Sequence, residues 1–495
     1  MEKQHNSRRD FLIKVLAGTT SALGTGFRSG FDDKSEPEIS SFMLSDRPNV
    51  VLVVSDDHGR DALGCYGNPI VKTPTLDRLA SEGVQFENAF CTTASCSPSR
   101  SVILTGLHNH ATGQYGLQHD FHHFSTFDSV KSLPFFLSKA GYKTARAGKF
   151  HIAPASVYPF DEVIYDGAAN DMESFARSPV ELAEMCREFL RNTRDPFFLY
   201  FCLDDPHRGL PYDTWPGPNR FGNREKPYPG VNEVRYDPAK VIVPPFLPDT
   251  EGTRKELAEY YQAVSRADQG VGRLMEILRS TGKYENTLII YISDNGLAFP
   301  GAKTTLYEPG IQLPCIVRLP RGERKGTVSN SMISWCDITP TILDFAGVSE
   351  PKVPFHGRSF KKILLSGDEL GWDEVYASHT FHGVTQFYPM RMVRGRKFKL
   401  IHNLASALTF PLARDLVAAS TWQSIVRARE EYFGKRQLTS FLRRPEYELY
   451  DLERDPLETN NLASDSAYSQ ILNEYRGKLS AFQKSTNDPW TDSSL

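Results

Sequence analysis

The stretch NVVLVVSDDH (residues 49–58) decides the fold class of this 495-residue chain. Its first seven residues form an unbroken apolar, valine-rich run, which is typical of a strand buried on both faces of a parallel sheet. The run ends in two aspartates and a histidine. Because ligands bind beyond the carboxyl ends of the strands in open α/β sheets, the stretch predicts both a parallel sheet and the edge that carries a site.

Two further apolar runs have the same form, at residues 197–203 and 287–293, and a more polar strand is expected at residues 143–147. Amphipathic helical patterns alternate with the runs, at residues 74–82, 130–140, 179–191, 254–280 and 338–346. This alternation predicts an α/β fold with a large, mostly parallel central sheet flanked by helices. A loop-rich insertion is expected at residues 209–249, where Pro and Gly are frequent.

After about residue 360 the pattern changes to shorter segments. Residues 374–377, 390–393 and 397–401 predict an antiparallel sheet, and residues 412–433 and 467–483 predict helices. These elements indicate a smaller C-terminal α+β domain. We therefore expect an export signal and linker at residues 1–40, a catalytic domain at 41–370 and the α+β domain at 371–495.

The amino terminus reads as a twin-arginine export signal. Arg8 and Arg9 lie in the stretch SRRDFLIK, and a weakly apolar segment follows at residues 15–27. Such a signal predicts export to the periplasm by the twin-arginine machinery, which carries folded proteins. The alternative is a basic, disordered amino terminus. Without a clear A-x-A site, the mature start is placed only between about residues 25 and 45.

Composition excludes some classes of partner and of site. A net charge of -3 gives no bulk attraction to nucleic acid, so we expect no nucleic-acid partner. The 7 cysteines have no C-x-x-C spacing, which argues against a structural zinc site. The odd number leaves at least one cysteine unpaired, and the others remain open as thiols or disulfides.

Polar residues follow each apolar run. Asp56 and Asp57 follow the first, and Asp294 and Asn295 follow the last. Oxygen donors of this kind suit Ca²⁺ or Mg²⁺ rather than zinc, and we expect one Ca²⁺ ion. Each residue alone has a simpler interpretation as a helix cap or turn former. The convergence of carboxylates, an amide, lysine and histidines on one edge favours a site for an anion and a hard cation.

The segment Cys96-Ser97-Pro98-Ser99-Arg100, continued by LTG at residues 104–106, resembles the C-x-P-x-R signature of the sulfatase family. The resemblance implies an alkaline-phosphatase-like fold. It also implies that a maturation enzyme oxidises Cys96 to formylglycine, whose hydrated form is a nucleophile that also contacts the metal. Arg100 lies four residues on and would hold the nucleophile or the metal carboxylates.

The same resemblance implies roles for four further residues. Lys149 and Lys303 would contact sulfate oxygens, His151 would hold the nucleophile, and His207 would protonate the departing atom. The simpler interpretation of Lys303 is a solvated loop lysine.

The likeness is strongest to one branch of the family, the heparan N-sulfatases or sulfamidases. It extends over motifs at residues 205–208, 266–272, 388–391 and 448–451. It implies hydrolysis of the N-sulfate of a terminal N-sulfoglucosamine in heparin or heparan sulfate fragments, and a possible homodimer through the second domain. The residues expected to bind the sugar are His123, Arg208, His379, His382 and Arg391.

Two positions depart from this branch. Residue 303 is Lys where Arg is usual, so the bidentate fork of Arg is lost. Residue 209 is Gly where animal relatives have Cys, so their disulfide at this position is not carried over. The alternatives are an O-sulfatase on another sulfated glycan, a phosphodiesterase or phosphonate hydrolase of the same superfamily, and a glycan-binding protein with an unmodified Cys96.

Overall fold

The structure is a computed structural model that describes residues 47–167, 177–209, 221–348 and 353–491. The predicted export signal lies outside these residues, as does part of the loop-rich insertion. Among the described residues, none of the helices combines the length and the apolar character needed to cross a membrane.

The larger sheet has eight strands in the order β4-β3-β5-β1-β6-β7-β2-β8. Only β7 runs antiparallel to its neighbours, β6 and β2. The predicted fold class is therefore confirmed. The strands are β1 (Asn49–Ser55), β2 (Val84–Phe90), β3 (Lys143–Lys149), β4 (Glu162–Gly167), β5 (Phe197–Cys202), β6 (Thr287–Ser293), β7 (Cys315–Arg318) and β8 (Thr327–Ser334).

Strand β1 lies at the centre of the sheet because both of its faces are apolar. It pairs in parallel with β5 on one side and β6 on the other. Val50, Leu52 and Val54 pack into one hydrophobic cluster, whereas Val51 and Val53 pack into a second. Since successive side chains of a strand point to opposite faces, the valine-rich run supplies both cores and fixes the strand between two layers of helices.

The described residues contain α-helices on both faces of the larger sheet and in the C-terminal part of the chain. The longest, α6, spans 30 residues and is capped by Thr250, whose side chain accepts a hydrogen bond from the Thr253 N–H. The helices are α1 (Pro74–Ser81), α2 (Cys96–Thr105), α3 (Asn109–Thr112), α4 (Leu133–Lys139), α5 (Pro179–Asn192), α6 (Glu251–Ser280), α7 (Glu308–Ile311), α8 (Ile338–Phe345), α9 (Lys361–Ser366), α10 (Arg414–Val417), α11 (Ser420–Ala428), α12 (Leu438–Leu442) and α13 (Ser469–Ser485).

The second sheet is antiparallel, as predicted, with the order β14-β11-β10-β9. Its strands are β9 (Glu374–Phe381), β10 (Phe387–Gly395), β11 (Phe398–Asn403) and β14 (Tyr447–Asp451). Helix α13 covers one face through Tyr475 and Leu479. The domain boundary near residue 370 stays a prediction.

One predicted element is wrong in its extent. The helix expected over residues 412–433 is broken into α10 and α11 and stops at Ala428. The break falls at Ala419, whose backbone is extended (ψ 138), so that the N–H groups of Ser420 and Thr421 reach the buried carboxylate of Glu256. The expected end of the helix is instead a short hairpin of β12 (Tyr432–Phe433) and β13 (Arg436–Gln437).

Candidate active site

The ends of β1 and β6 bring four oxygen-bearing side chains together. The register of the two strands places Ser55 beside Ser293, so the residues that follow them are adjacent. The Asp57 N–H donates to Asp294 Oδ1 at 3.1 Å. Carboxylate oxygens of Asp56, Asp57 and Asp294 lie within 4.8 Å of one another, and all three residues are buried. Asn295 completes the set through a hydrogen bond from its amide to Asp57.

The three carboxylates differ in the charges that surround them. Burial by itself would raise the pKa of Asp56, but Lys149 and Arg100 outweigh it and lower that pKa to about 2. Burial, together with the charge of Asp56, raises the pKa of Asp57 to about 6 and that of Asp294 to about 7. Burial is thus the first cause of the raised pKa values of Asp57 and Asp294, whereas its two cationic partners keep Asp56 charged.

This cluster fits a hard divalent cation. Its donors are carboxylate and amide oxygens, which Ca²⁺ and Mg²⁺ prefer. The amide oxygen Oδ1 of Asn295 is buried and has no hydrogen-bond partner. Because a buried polar atom without a partner is costly, this atom is itself an argument for a ligand at the site.

Cys96 is the first residue of α2 and points at the cluster. Its Sγ lies 3.4 Å from Asp56 Oδ1 and 4.0 Å from Asp57 Oδ1. Burial and the charge of Asp56 raise the pKa of the thiol well above its usual value, so the thiol stays protonated. Its position in the first turn also directs the helix amino terminus toward any anion bound there.

Arg100 lies one turn further along α2 and connects three parts of the site. Its Nη2 is 2.8 Å from Asp294 Oδ2 and 3.7 Å from Asp56 Oδ2. Its Nη1 donates to the backbone oxygen of Lys149 at 2.9 Å. The guanidinium therefore holds the carboxylates of β1 and β6 against the end of β3.

Two buried lysines approach the cluster from different directions. Lys149, the last residue of β3, contacts Asp56 through its ammonium group. Lys303 Nζ lies 2.8 Å from Asp57 Oδ2 and 3.4 Å from Asp415 Oδ2. The interpretation of Lys303 as a solvated loop lysine is wrong, since its side chain is 1% exposed.

Two histidines complete the centre. His207 Nε2 lies 3.6 Å from Asp57 Oδ2, and its Nδ1 is 2.5 Å from the Arg208 carbonyl oxygen. Burial, then Lys149 and Lys303, hold the pKa of His207 well below its usual value. His151 is buried beyond Lys149 in a left-handed conformation (φ 61), and its ring contacts His119.

The residues predicted to bind the sugar fall into different environments. His382, the residue after β9, has its Nδ1 2.9 Å from the Ser95 hydroxyl, next to Cys96, and His379 is buried within β9. Arg208 is buried and pairs with Glu256. Arg391 is also buried, with its guanidinium bound by Asp488.

His123 is exposed and adopts a left-handed conformation (φ 51). The structure thus brings His382 to the edge of the catalytic centre, whereas Arg208 and Arg391 are engaged by buried carboxylates.

Three residues at the centre were missed from the sequence. Neither carboxylate oxygen of Asp204 has a hydrogen-bond partner, and Oδ1 lies 3.9 Å from Lys149 Nζ. It follows the apolar run at residues 197–203, and this position was a usable signal although no role was assigned to it. His119 and Asp415 carried no such signal, because neither follows a strand of the larger sheet.

Comparison with known proteins places these residues in a family context. The family model described as Sulfatase matches residues 48–348, and the one described as N-sulphoglucosamine sulphohydrolase, C-terminal, matches residues 301–416. The human (Homo sapiens) N-sulphoglucosamine sulphohydrolase is 40% identical over 462 residues, which cover 89% of this chain and 91% of the human protein.

Two solved structures share the fold. One, described as a complex with its substrate D-glucosamine-2-N,6-O-disulfate, has a TM-score of 0.66 and 22% identity, covering 91% of this chain and 100% of its own. The other is a phosphonate monoester hydrolase of Agrobacterium radiobacter, with a TM-score of 0.66 and 19% identity, covering 89% and 96%. The same fold therefore accompanies more than one chemistry.

Proposed function

This chain belongs to the sulfatase family, and from that membership we propose that it hydrolyses the N-sulfate of a terminal N-sulfoglucosamine in heparin or heparan sulfate fragments. The observation that carries the proposal is the 40% identity to the human N-sulphoglucosamine sulphohydrolase over 89% of the chain. The same stretch of sequence includes Cys96 and the residues gathered around it.

We propose that Cys96 acts as formylglycine, produced by a maturation enzyme. A hydrated formylglycine supplies a hydroxyl nucleophile, which a buried and protonated thiol does not. Arg100 is placed to orient this residue, since it lies on the same face of α2 and contacts both Asp294 and Asp56. By the resemblance to the sulfatase family, His151 is the candidate to hold the nucleophile's second hydroxyl, and the charges of Lys149 and Arg100 act on its buried ring.

The site also fits one divalent cation, which we propose is Ca²⁺, with Mg²⁺ as the alternative. Asp56, Asp57, Asp294 and Asn295 would hold it together with the modified residue 96. Bound there, the cation would polarise the sulfate and favour the deprotonated nucleophile. Sulfate binding and proton delivery are left to lysine and histidine side chains of this chain.

Lys149 and Lys303 are placed to bind sulfate oxygens from two directions. Each is buried beside a metal-binding carboxylate, so each ammonium is held at the centre before substrate arrives. His207 is placed to deliver a proton to the departing nitrogen from Nε2, because its Nδ1 is engaged by the Arg208 carbonyl. To do so His207 must first gain a proton, which burial and then the two lysines oppose, and the negative charge of a bound sulfate offsets the contribution of the lysines.

The sequence before residue 47 bears on where the enzyme works. We propose export to the periplasm by the twin-arginine machinery, which carries folded proteins and so allows Cys96 to be matured in the cytoplasm before export. A homodimer through the C-terminal domain is part of the same proposal.

The first experiment separates N-sulfatase from O-sulfatase activity. The chain, co-produced with a formylglycine-generating enzyme, is incubated with N-sulfoglucosamine and separately with glucosamine 6-sulfate, and sulfate and new free amine are measured. We expect sulfate and amine in equal amounts from the first substrate. Sulfate from the 6-sulfate alone would assign the chain to the O-sulfatases instead.

Two variants and a peptide mass complete this test. Cys96→Ala is expected to lose all sulfate release, whereas Cys186→Ala, buried in α5 away from the site, is expected to keep it. The peptide that contains residue 96 should carry the mass of an aldehyde residue. An active chain with an unmodified Cys96 would refute the formylglycine proposal.

A further inference from the structure

Asp415 brings a carboxylate from outside the larger sheet into the catalytic centre. It lies on α10, and its side chain is 7% exposed. Its Oδ1 accepts the Leu416 N–H at 3.0 Å, and its Oδ2 faces Lys303 Nζ at 3.4 Å. Lys303 already has a closer partner in Asp57, at 2.8 Å, so Asp415 is not needed to neutralise it.

Asp415 lies close to His207 and Asp57. A carboxylate oxygen of Asp415, one of Asp57 and a ring nitrogen of His207 lie within 4.8 Å of one another. A ring nitrogen of His207 is also within the same distance of Asp56 and of Cys96 Sγ. Asp415 therefore borders the space between the nucleophilic residue and His207, where the departing atom of a sulfate group must lie.

The family matches separate Asp415 from the rest of the centre. The metal-binding, cysteine and lysine positions from 56 to 303 all fall within residues 48–348, which match the general sulfatase model. Asp415 falls outside that range and inside residues 301–416, which match the C-terminal model of N-sulphoglucosamine sulphohydrolases. The carboxylate is thus supplied by the part of the chain that distinguishes the branch.

N-sulfate and O-sulfate groups differ at the atom that departs. The bridging nitrogen of a sulfamate carries a hydrogen, whereas the bridging oxygen of a sulfate ester carries none. A buried acceptor beside that atom favours the sulfamate, because it gains a hydrogen bond from the sulfamate N–H that a sulfate ester cannot supply. An aspartate carboxylate is such an acceptor, and it also attracts the amine after the S–N bond has broken.

We propose that Asp415 determines the preference for N-sulfate by accepting a hydrogen bond from the sulfamate N–H and then from the product amine. The inference rests on the proposed sulfamidase function and adds the residue that reads the departing nitrogen. A role limited to balancing the charge of Lys303 would affect sulfate binding, and it would not distinguish an amine from a hydroxyl on the sugar.

The test combines kinetics with product binding. Asp415→Leu removes the acceptor at similar volume, and Asp415→Asn keeps one acceptor oxygen. With N-sulfoglucosamine, we expect kcat/KM to fall about 100-fold for the Leu variant and about 10-fold for the Asn variant. Asp337 is a buried helix-capping residue away from the centre, and Asp337→Asn serves as the matched control. It should change neither kcat/KM nor the binding of product.

Product binding is measured by titration calorimetry of the matured, Ca²⁺-loaded protein with glucosamine and with glucose. Wild type is expected to bind glucosamine at least about 10-fold more tightly, and Asp415→Leu to bind the two sugars equally. Circular dichroism establishes that each variant is folded. If the Leu variant is misfolded, the Asn variant decides the question by a reduced preference for glucosamine.

Persistence of the full glucosamine preference in the folded Asp415 variants would overturn the inference, whatever happens to the rate. So would a wild-type protein that binds both sugars equally. Failure of the proposed function gives a different result, because wild type would then release no amine from N-sulfoglucosamine.

Discussion

Glu256 Oε1 lies 2.7 Å from Arg208 Nη1, and both side chains are buried. Burial alone would raise the pKa of Glu256, but Arg208 outweighs it and lowers that pKa, so the carboxylate is charged. The same carboxylate accepts the N–H groups of Ser420 and Thr421 at the start of α11. Glu256 thus joins the loop that carries His207 to the C-terminal part of the chain that carries Asp415.

Removing Glu256 should damage both stability and catalysis. Glu256→Ala leaves the Arg208 cation buried without its carboxylate, and we expect the free energy of unfolding to fall by about 3–5 kcal/mol. Because His207 is the neighbour of Arg208, kcat/KM for N-sulfoglucosamine should fall by up to about 100-fold. Glu276→Ala, at an exposed position of the same helix, should change stability by less than about 0.5 kcal/mol. Equal stability of the two variants, measured by denaturant unfolding, would contradict this assignment.

Calcium binding should depend on Asn295. In chelator-treated protein, we expect titration calorimetry to show one Ca²⁺ site that binds Mg²⁺ more weakly, because Mg²⁺ demands near-ideal octahedral geometry. Asn295→Ala removes an amide oxygen without changing the buried charge, and should weaken Ca²⁺ binding by about 10-fold or more. Asn330→Ala, at an exposed position of β8, is the control. Unchanged affinity in Asn295→Ala would remove this residue from the ligand set.

The fold was predictable wherever a strand is buried on both faces. The runs at β1 and β6 were located to the residue, because seven consecutive buried positions leave no polar face to obscure them. Strand β4 was not predicted, since it lies at the edge of the sheet and most of its residues are at least partly exposed. Strand β2 is interrupted by half-buried Glu87 and Asn88, which breaks the apolar run.

The part of the site that follows the strands of the larger sheet was also predictable from the sequence. Asp56, Asp57, Asp294 and Asn295 follow strands of one sheet, so the rule about strand ends brings them together. Asp415 reaches Lys303 from 112 residues further along the chain, and its helix belongs to no sheet edge. Such a long-range contact is set by how the C-terminal segment packs on α6, which no local pattern records.

A cluster of two buried histidines and one half-buried histidine predicts how the protein responds to acid. The ring centroids of His108, His110 and His356 are 5.6–5.9 Å apart. Burial lowers the pKa of His110 to about 3 and that of His356 to about 4, and it holds the pKa of His108 well below its usual value. The charged groups that face them are Asp488, 3.9 Å from His110 Nδ1, and Arg391.

The sign of the effect follows from these shifts. Each folded-state pKa lies below the unfolded value of about 6.5, so the unfolded chain binds more protons between them. The stability that neutral histidines contribute is complete above pH 6.5 and is lost as the pH falls toward 4. His110→Gln keeps a hydrogen-bonding side chain near Thr486 without a titrating group, and should reduce the slope by up to about 1.4 kcal/mol per pH unit.

Denaturant unfolding at pH 4.5, 5.5 and 6.5 measures this slope. His123→Gln is the control, since His123 is exposed and its replacement should leave the slope unchanged. Identical slopes in wild type and His110→Gln would show that the cluster does not control acid stability.

Substitutions of Lys303 separate the effect of its positive charge from the effect of its side-chain shape. Burial alone would lower its pKa, but Asp57 outweighs burial and raises it well above the usual value, so the ammonium is charged. Lys303→Met removes the buried cation that we propose binds a sulfate oxygen, and kcat should fall about 100- to 1,000-fold. Lys303→Arg keeps the charge and offers a planar fork that suits both Asp57 and Asp415, so kcat should stay within about 10-fold of wild type.

Steady-state sulfate release from N-sulfoglucosamine measures kcat of both variants, with exposed Lys362→Met as the control. A Met variant that retains more than a tenth of the wild-type rate would mean that Lys303 serves the carboxylates alone and does not contact the sulfate.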